Sequence, residues 1–107
     1  RAAFARAIVE SLADAFAGGV RDAARLAGRD VETIHIVGGG SLNRLLCQRT
    51  ADRAGMPVLA GPVEATAIGN VLVQARAQGW FGADASLERL RTLVASAYAP
   101  RRFTPQP

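Results

Sequence analysis

Apolar residues at Phe4, Ile8, Leu12, Phe16 and Val20 recur every four positions, the mark of an apolar stripe along one helix. The spacing predicts a helix from about Ala2 to Leu26, with Gly28 as its stop. Gly18-Gly19 lies inside it, and each Gly costs roughly 1 kcal/mol relative to Ala, which allows a kink or break there. The pattern then changes period. Glu32 to Val37 is short, rich in β-branched residues and ends on glycines, so it reads as a strand. Ser41 is placed to cap a second helix running through Leu42, Leu45 and Leu46 to about Ala54, ended by Gly55. Met56 to Ala60 reads as a second strand, and Gly61-Pro62 turns the chain.

A third helix is expected from Glu64 to about Gln78, with Ile68, Leu72 and Ala75 on one face, and a fourth from Ser86 to Ala97. The tail, Ala99 to Pro107, carries three prolines and reads as a non-helical strap across a surface. Strand, crossover helix and strand make a βαβ unit, which implies a parallel, right-handed connection. The fold class is therefore α/β.

Length and composition narrow the picture. A chain of 107 residues suffices for one compact domain, and with half of it apolar a packed core is within reach. Ala, Val, Leu and Ile must supply most of that core, because aromatics are 6%. The sequence opens Arg1-Ala2-Ala3-Phe4, partway along an amphipathic helix, as a domain cut from a longer protein would. No apolar run approaches the roughly 20 residues that cross a bilayer, and no membrane partner is expected. The single Cys47 excludes an internal disulfide framework and fits a reducing cytoplasm.

Every basic residue is Arg, and the net charge is +4. These arginines are scattered, with Arg101-Arg102 the only adjacent pair, and aromatics are not interleaved with them. Nucleic acid is accordingly not the expected partner, although a basic domain that binds polyanions is a rival reading.

The most informative segment is Val37-Gly38-Gly39-Gly40-Ser41-Leu42-Asn43, between a strand and a helix. Glycines let a ligand approach the main chain closely, and a helix start turns unpaired N–H groups toward it, which together suit a phosphate. A purely steric βα turn is the alternative. A P-loop is excluded because it needs Lys, and a Rossmann fingerprint from Gly38 would need Gly where Asn43 stands. Gly69, beside the small residues Ala65, Thr66 and Ala67, suggests a close backbone approach, either to a strand or to the glycine loop beside a ligand. His35 reads as a packed or partly exposed strand residue and Cys47 as a small core residue. Asp52 and Asp84 read as solvated surface carboxylates and Trp80-Phe81 as a hydrophobic plug at a helix end. No catalytic group and no protein-bound metal site is expected.

The glycine loop, then Cys47-Gln48 and Ala51-Asp52, Gly55-Met56-Pro57-Val58, and Glu64-Ala65-Thr66-Ala67-Ile68-Gly69-Asn70 resemble the FGGY carbohydrate kinases in content and order. Ala60 to Thr66, Gly69-Asn70 and Phe103-Thr104-Pro105 look particularly like the rhamnulokinase branch of that family. The resemblance covers nearly the whole chain. It implies a kinase of two ribonuclease-H-like domains closing around sugar and ATP, with residues 1–107 as the C-terminal part of the second, nucleotide-binding domain. In that family the loop lies against the nucleotide, so Gly38, Gly39 and Gly40, then Ser41 and Asn43, are the implied contacts. Asn43 could equally satisfy backbone groups of the first helical turn.

The implied reaction transfers the γ-phosphate of ATP, with Mg²⁺ carried in alongside it, to a hydroxyl of a ketose, L-rhamnulose first among the choices. The catalytic Asp of the family and its sugar contacts lie outside this segment, so the segment alone should be inert. It should also expose surfaces that the remainder of the kinase chain covers, which makes self-association in isolation an expectation. The alternative implied by the same fold is a non-catalytic nucleotide-binding or regulatory module.

Overall fold

The computed structural model describes residues 1–83 and 85–107. Helix α1 spans Ala2–Ala27 without interruption at Gly18-Gly19, where added Cβ atoms would meet nothing within 4 Å. It stops where the sequence predicts. Gly28 takes the left-handed conformation (φ 64°) and the Arg29 N–H donates back to the Ala24 carbonyl at 3.1 Å. Strands β1 (Ile34–Ile36) and β2 (Val58–Ala60) follow, connected through a short 3₁₀ turn (Gly39–Leu42) and helix α2 (Arg44–Ala54). Helices α3 (Ala65–Ala77) and α4 (Leu87–Ala97) precede a third strand, β3 (Arg101–Phe103).

Strand β2 is central. It pairs parallel with β1, with Ile34 opposite Val58 and Ile36 opposite Ala60, and antiparallel with β3, with Ala60 opposite Arg101 and Val58 opposite Phe103. The tail is therefore not only a strap: its Arg101–Phe103 segment completes the sheet by satisfying the free edge of β2. Alternation along the strands sends Ile34, Val58 and Ala60 into a core with Cys47 and Ala51 of α2. Val58, Cys47 and Ala51 are fully buried.

The apolar stripe of α1 is not the face that packs. Phe4 is 75% exposed and Ile8 50%, whereas Ala13 and Ala17 are fully buried. The reason is geometric. Four residues advance the helix by about 40° beyond a full turn, so a row begun at Phe4 circles the helix instead of staying on one face. It reaches the buried side only at Val20, which packs against the core. Ala13 and Ala17 lie on the side opposite Phe4, where their small side chains let α1 approach α2 closely.

Across that seam the Glu10 carboxylate accepts from Arg49 Nε at 2.6 Å and from Arg53 Nη2 at 2.6 Å. These two guanidiniums, with burial opposing them and Arg6 adding a smaller part, hold the Glu10 carboxyl down at about 2. Asp14 also pairs with Arg53, at 3.3 Å.

The opposite side of the sheet is looser. Leu90 of α4 is buried there, but α3 has no buried residue, and Val71 is 66% exposed. The radius of gyration is 16.3 Å, against roughly 13 Å for a compact domain of this size. Trp80 is 79% exposed, so it does not plug a helix end; the turn after Gly79 carries it outward. Among the described residues no helix is long and apolar enough to cross a membrane.

Two predictions follow from the seam. Ala17→Leu should destabilise the chain by about 2 kcal/mol through overpacking, while Leu12→Ser should change stability by less than about 0.5 kcal/mol; urea unfolding of each reads the difference. Glu10 is depressed from 4.5 to about 2 on folding, so its stabilisation is complete above pH 4.5 and disappears as pH falls through 2. The stability gap between the unsubstituted chain and Glu10→Gln should therefore be widest above pH 4.5 and close toward pH 2. A gap that is the same at pH 6 and pH 2 would sink the assignment.

Candidate functional site

The parallel pair β1–β2 ends at Ile36 and Ala60, and both chain segments leave the sheet on the same side. In sheets of this kind the space beyond the carboxyl ends of parallel strands is where ligands bind. The two exits are tied together by backbone bonds. The Gly61 N–H donates to the Ile36 carbonyl at 2.8 Å, and the Gly38 N–H donates to Pro62 O at 3.4 Å. The glycine loop is thereby fixed against the turn that follows β2.

Within the loop the three glycines have different reasons to be there. Gly38 has φ 79° and ψ −162°, a conformation that L side chains rarely adopt. Its carbonyl accepts both the Ser41 N–H at 3.1 Å and the Ser41 hydroxyl at 2.6 Å, which folds Gly39–Leu42 into a 3₁₀ turn. Gly40 is exposed, and an added Cβ would make ordinary contacts, 3.8 Å from Leu46 Cδ2 and 3.9 Å from Ile36 Cγ2. Gly39 has negative φ, and an added Cβ there would meet nothing within 4 Å. Nothing in the chain itself requires glycine at position 39. Among the described residues, neither the Gly39 nor the Gly40 N–H has a protein acceptor.

Ser41 is not the cap of α2. It is buried, with its hydroxyl turned back onto Gly38, because the 3₁₀ turn displaces the helix start by two residues. The cap is Asn43, whose Oδ1 accepts from the Leu46 N–H at 3.0 Å. Its Nδ2 has no acceptor among the described residues. Below the loop the fully buried Cys47 thiol sits 3.9 Å from the carbonyls of Gly40 and Ser41. Burial pushes its pKa up, with Arg101 pulling the other way, so the thiol is a protonated core group.

Arg101 is the residue that sequence reasoning passed over. Its Nη2 donates to the Ser41 carbonyl at 2.7 Å, so the tail reaches the loop directly. The only signal in the sequence was the Arg101-Arg102 pair, and the strand register needed to place it could not be read from the tail. Arg101 and Ser41 line a cavity of about 370 Å³ together with Leu42, Gly61 and Glu64.

Behind Gly61-Pro62 lies a larger apolar cavity, about 540 Å³, lined by His35, Gly69, Leu72, Leu90 and Val94. The expected close approach at Gly69 is not made within the chain, since a Cβ there would meet nothing within 4 Å. His35 is exposed on the strand face that lines this space. Asp52 is not an isolated surface carboxylate. Its Oδ1 accepts from Gln48 Nε2 and from the Gln106 N–H, both at 2.8 Å, and Oδ2 pairs with Arg49 at 3.2 Å. It fastens the tail. Asp84 lies outside the described residues.

Residues 1–78 match the C-terminal domain of the FGGY family of carbohydrate kinases. The chain is similar to the rhamnulokinase of Bacteroides thetaiotaomicron, 41% identical over 106 residues, covering 99% of this chain and 21% of that protein. It is also 41% identical over 104 residues to the rhamnulokinase of an Enterobacter species, covering 97% of this chain and again 21% of the relative. The chain thus spans about a fifth of the length of these curated relatives. With the match extending over most of its length, the chain belongs to the FGGY family of carbohydrate kinases.

Proposed function

We propose that this chain is the nucleotide-binding, C-terminal part of an ATP-dependent kinase that phosphorylates a ketose hydroxyl, L-rhamnulose first. The observation that carries the nucleotide reading is Gly39 with Gly40: two neighbouring amides without protein acceptors, and a glycine that the chain's own packing does not require. Unpaired N–H groups fixed on a rigid turn suit phosphate oxygens, and the missing side chain at position 39 leaves room for them. The sugar rests on the relatives, both of which bear the name rhamnulokinase.

In this reading ATP supplies the phosphoryl group, with Mg²⁺ held by residues beyond this chain. The Gly39 and Gly40 amides hold a nucleotide phosphate, and Gly38 sets the loop backbone at the required angle. The Asn43 Nδ2 is free for ribose or base, while Ser41 acts from beneath by clamping the loop through Gly38. The catalytic base and the sugar contacts belong to the rest of the kinase. Residues 1–107 sit in the second of two ribonuclease-H-like domains, in a cytoplasmic enzyme. The parallel β1–β2 pair with α2 between them supports that placement. The exposed row Phe4, Ile8 and Leu12 and the open α3 face are covered by the remaining kinase chain, and drive self-association when the segment stands alone.

Amide NMR titration with ADP tests the reading. The Gly38, Gly39 and Gly40 amides should shift and saturate with ADP and move little with inorganic phosphate. Gly39→Val should keep the folded spectrum, because the site has space and an ordinary φ, yet weaken ADP binding by about tenfold or more. Undiminished ADP binding by Gly39→Val would falsify the loop as the nucleotide site.

A further inference from the structure

The two arginines of α2 that face α1 are matched by carboxylates. Arg49 pairs with Glu10 and Asp52, and Arg53 pairs with Glu10 and Asp14. Arg101 differs. Its partners are the Ser41 carbonyl, at 2.7 Å, and the Phe103 ring, 5.7 Å from its guanidinium carbon. Neither carries a full negative charge, and among the described residues no carboxylate pairs with it.

Its position comes from the sheet. Antiparallel pairing sets Arg101 opposite Ala60, one residue before Gly61, so the cation stands at the carboxyl ends of the parallel strands. From there it reaches the 3₁₀ turn that holds the unbonded Gly39 and Gly40 amides. A guanidinium has five N–H donors in a planar fork, so the bond to Ser41 leaves others available along the cavity wall. Such a fork matches phosphate oxygens, and an N⁺–H···O⁻ bond is stronger than one from a neutral amide. Glu64 lines the same cavity and is not a partner of Arg101, so the guanidinium is the group there that attracts an anion.

We propose that Arg101 is a phosphate-contacting residue, which adds a cation from the C-terminal strand to the glycine loop and gives the site its preference for a nucleotide over a nucleoside. The inference rests on the nucleotide reading of the loop. Its bond to Ser41 orients the guanidinium, and Phe103 supports it from one side.

The test compares ADP with adenosine by calorimetric titration of the chain, using Arg101→Met and Arg101→Lys, with amide spectra to verify folding. Arg101→Met should weaken ADP by about tenfold and leave adenosine unchanged, and Arg101→Lys should recover part of the loss. If Arg101→Met weakens both ligands equally, Arg101 only braces the loop and the phosphate role is overturned. ADP binding that does not respond to Arg101→Met overturns it too. If the unsubstituted chain binds neither ligand, the nucleotide reading fails first and takes this inference with it.

Discussion

The parallel pairing of β1 with β2 is the constraint on which the other features depend. Three residues of each strand are in register, and the two bonds just beyond it, Gly61 N–H to Ile36 O and Gly38 N–H to Pro62 O, extend that register into the loops. A glycine-rich loop left to itself would sample many conformations, at about 1–2 kcal/mol of backbone entropy per residue on ordering. Here both its ends are fixed before any ligand arrives: one by the strand pairing, the other by the Asn43 cap of α2. The same central strand recruits the tail, since β2 has a second edge and β3 fills it. Loop, turn and tail therefore meet because they all border β2.

Packing around that strand relies on small residues and arginines. Cys47, Ala51 and Ala60 form the core with Ile34 and Val58, and Ala13 and Ala17 form the α1–α2 seam. Side chains this small bury little apolar area each, so contact must be close to contribute. The bonds of Glu10, Asp14 and Asp52 to Arg49 and Arg53 supply orientation where bulky residues are missing. Isolated surface pairs contribute little, but a shared carboxylate at 2.6 Å from two guanidiniums on one helix fixes the register of α1 along α2. Several large apolar residues face outward instead: Phe4, Ile8 and Leu12 on α1, and Val71 and Val73 on α3.

Elements governed by local chemistry were legible in the sequence. Gly28 and Gly55 end their helices in left-handed conformations, Ser86 caps α4, and β1 and β2 fall within the segments read as strands, each just before a glycine-containing turn. What the sequence concealed depended on longer range. A four-residue apolar spacing looks like one face but drifts around the helix, and only the position of α2 shows which face is inside. Ser41 and Asn43 are both good caps, and the choice fell to Asn43 because the 3₁₀ turn consumed Ser41. The tail became a strand because β2 had an open edge, which no local pattern in Arg101–Phe103 announces. The loop was legible as a candidate site; Arg101 was not, because its relation to Ser41 spans 60 residues.

The glycines separate what the fold needs from what it tolerates. Gly38 is explained by its own backbone, since φ 79° excludes an ordinary side chain. Gly39 and Gly69 have no such explanation: neither has positive φ, and neither would bring a Cβ within 4 Å of another group. At position 69 this leaves a helix that is weaker by roughly 1 kcal/mol than the same helix with Ala, without an intramolecular return. Gly69 lines the apolar cavity behind Gly61-Pro62, and Gly39 opens the 3₁₀ turn whose Ser41 and Leu42 line the smaller one. Stability alone would favour Ala at both. Their glycines make physical sense if something outside this segment, a ligand at 39 and either a ligand or another part of the kinase at 69, approaches closer than a methyl group would permit.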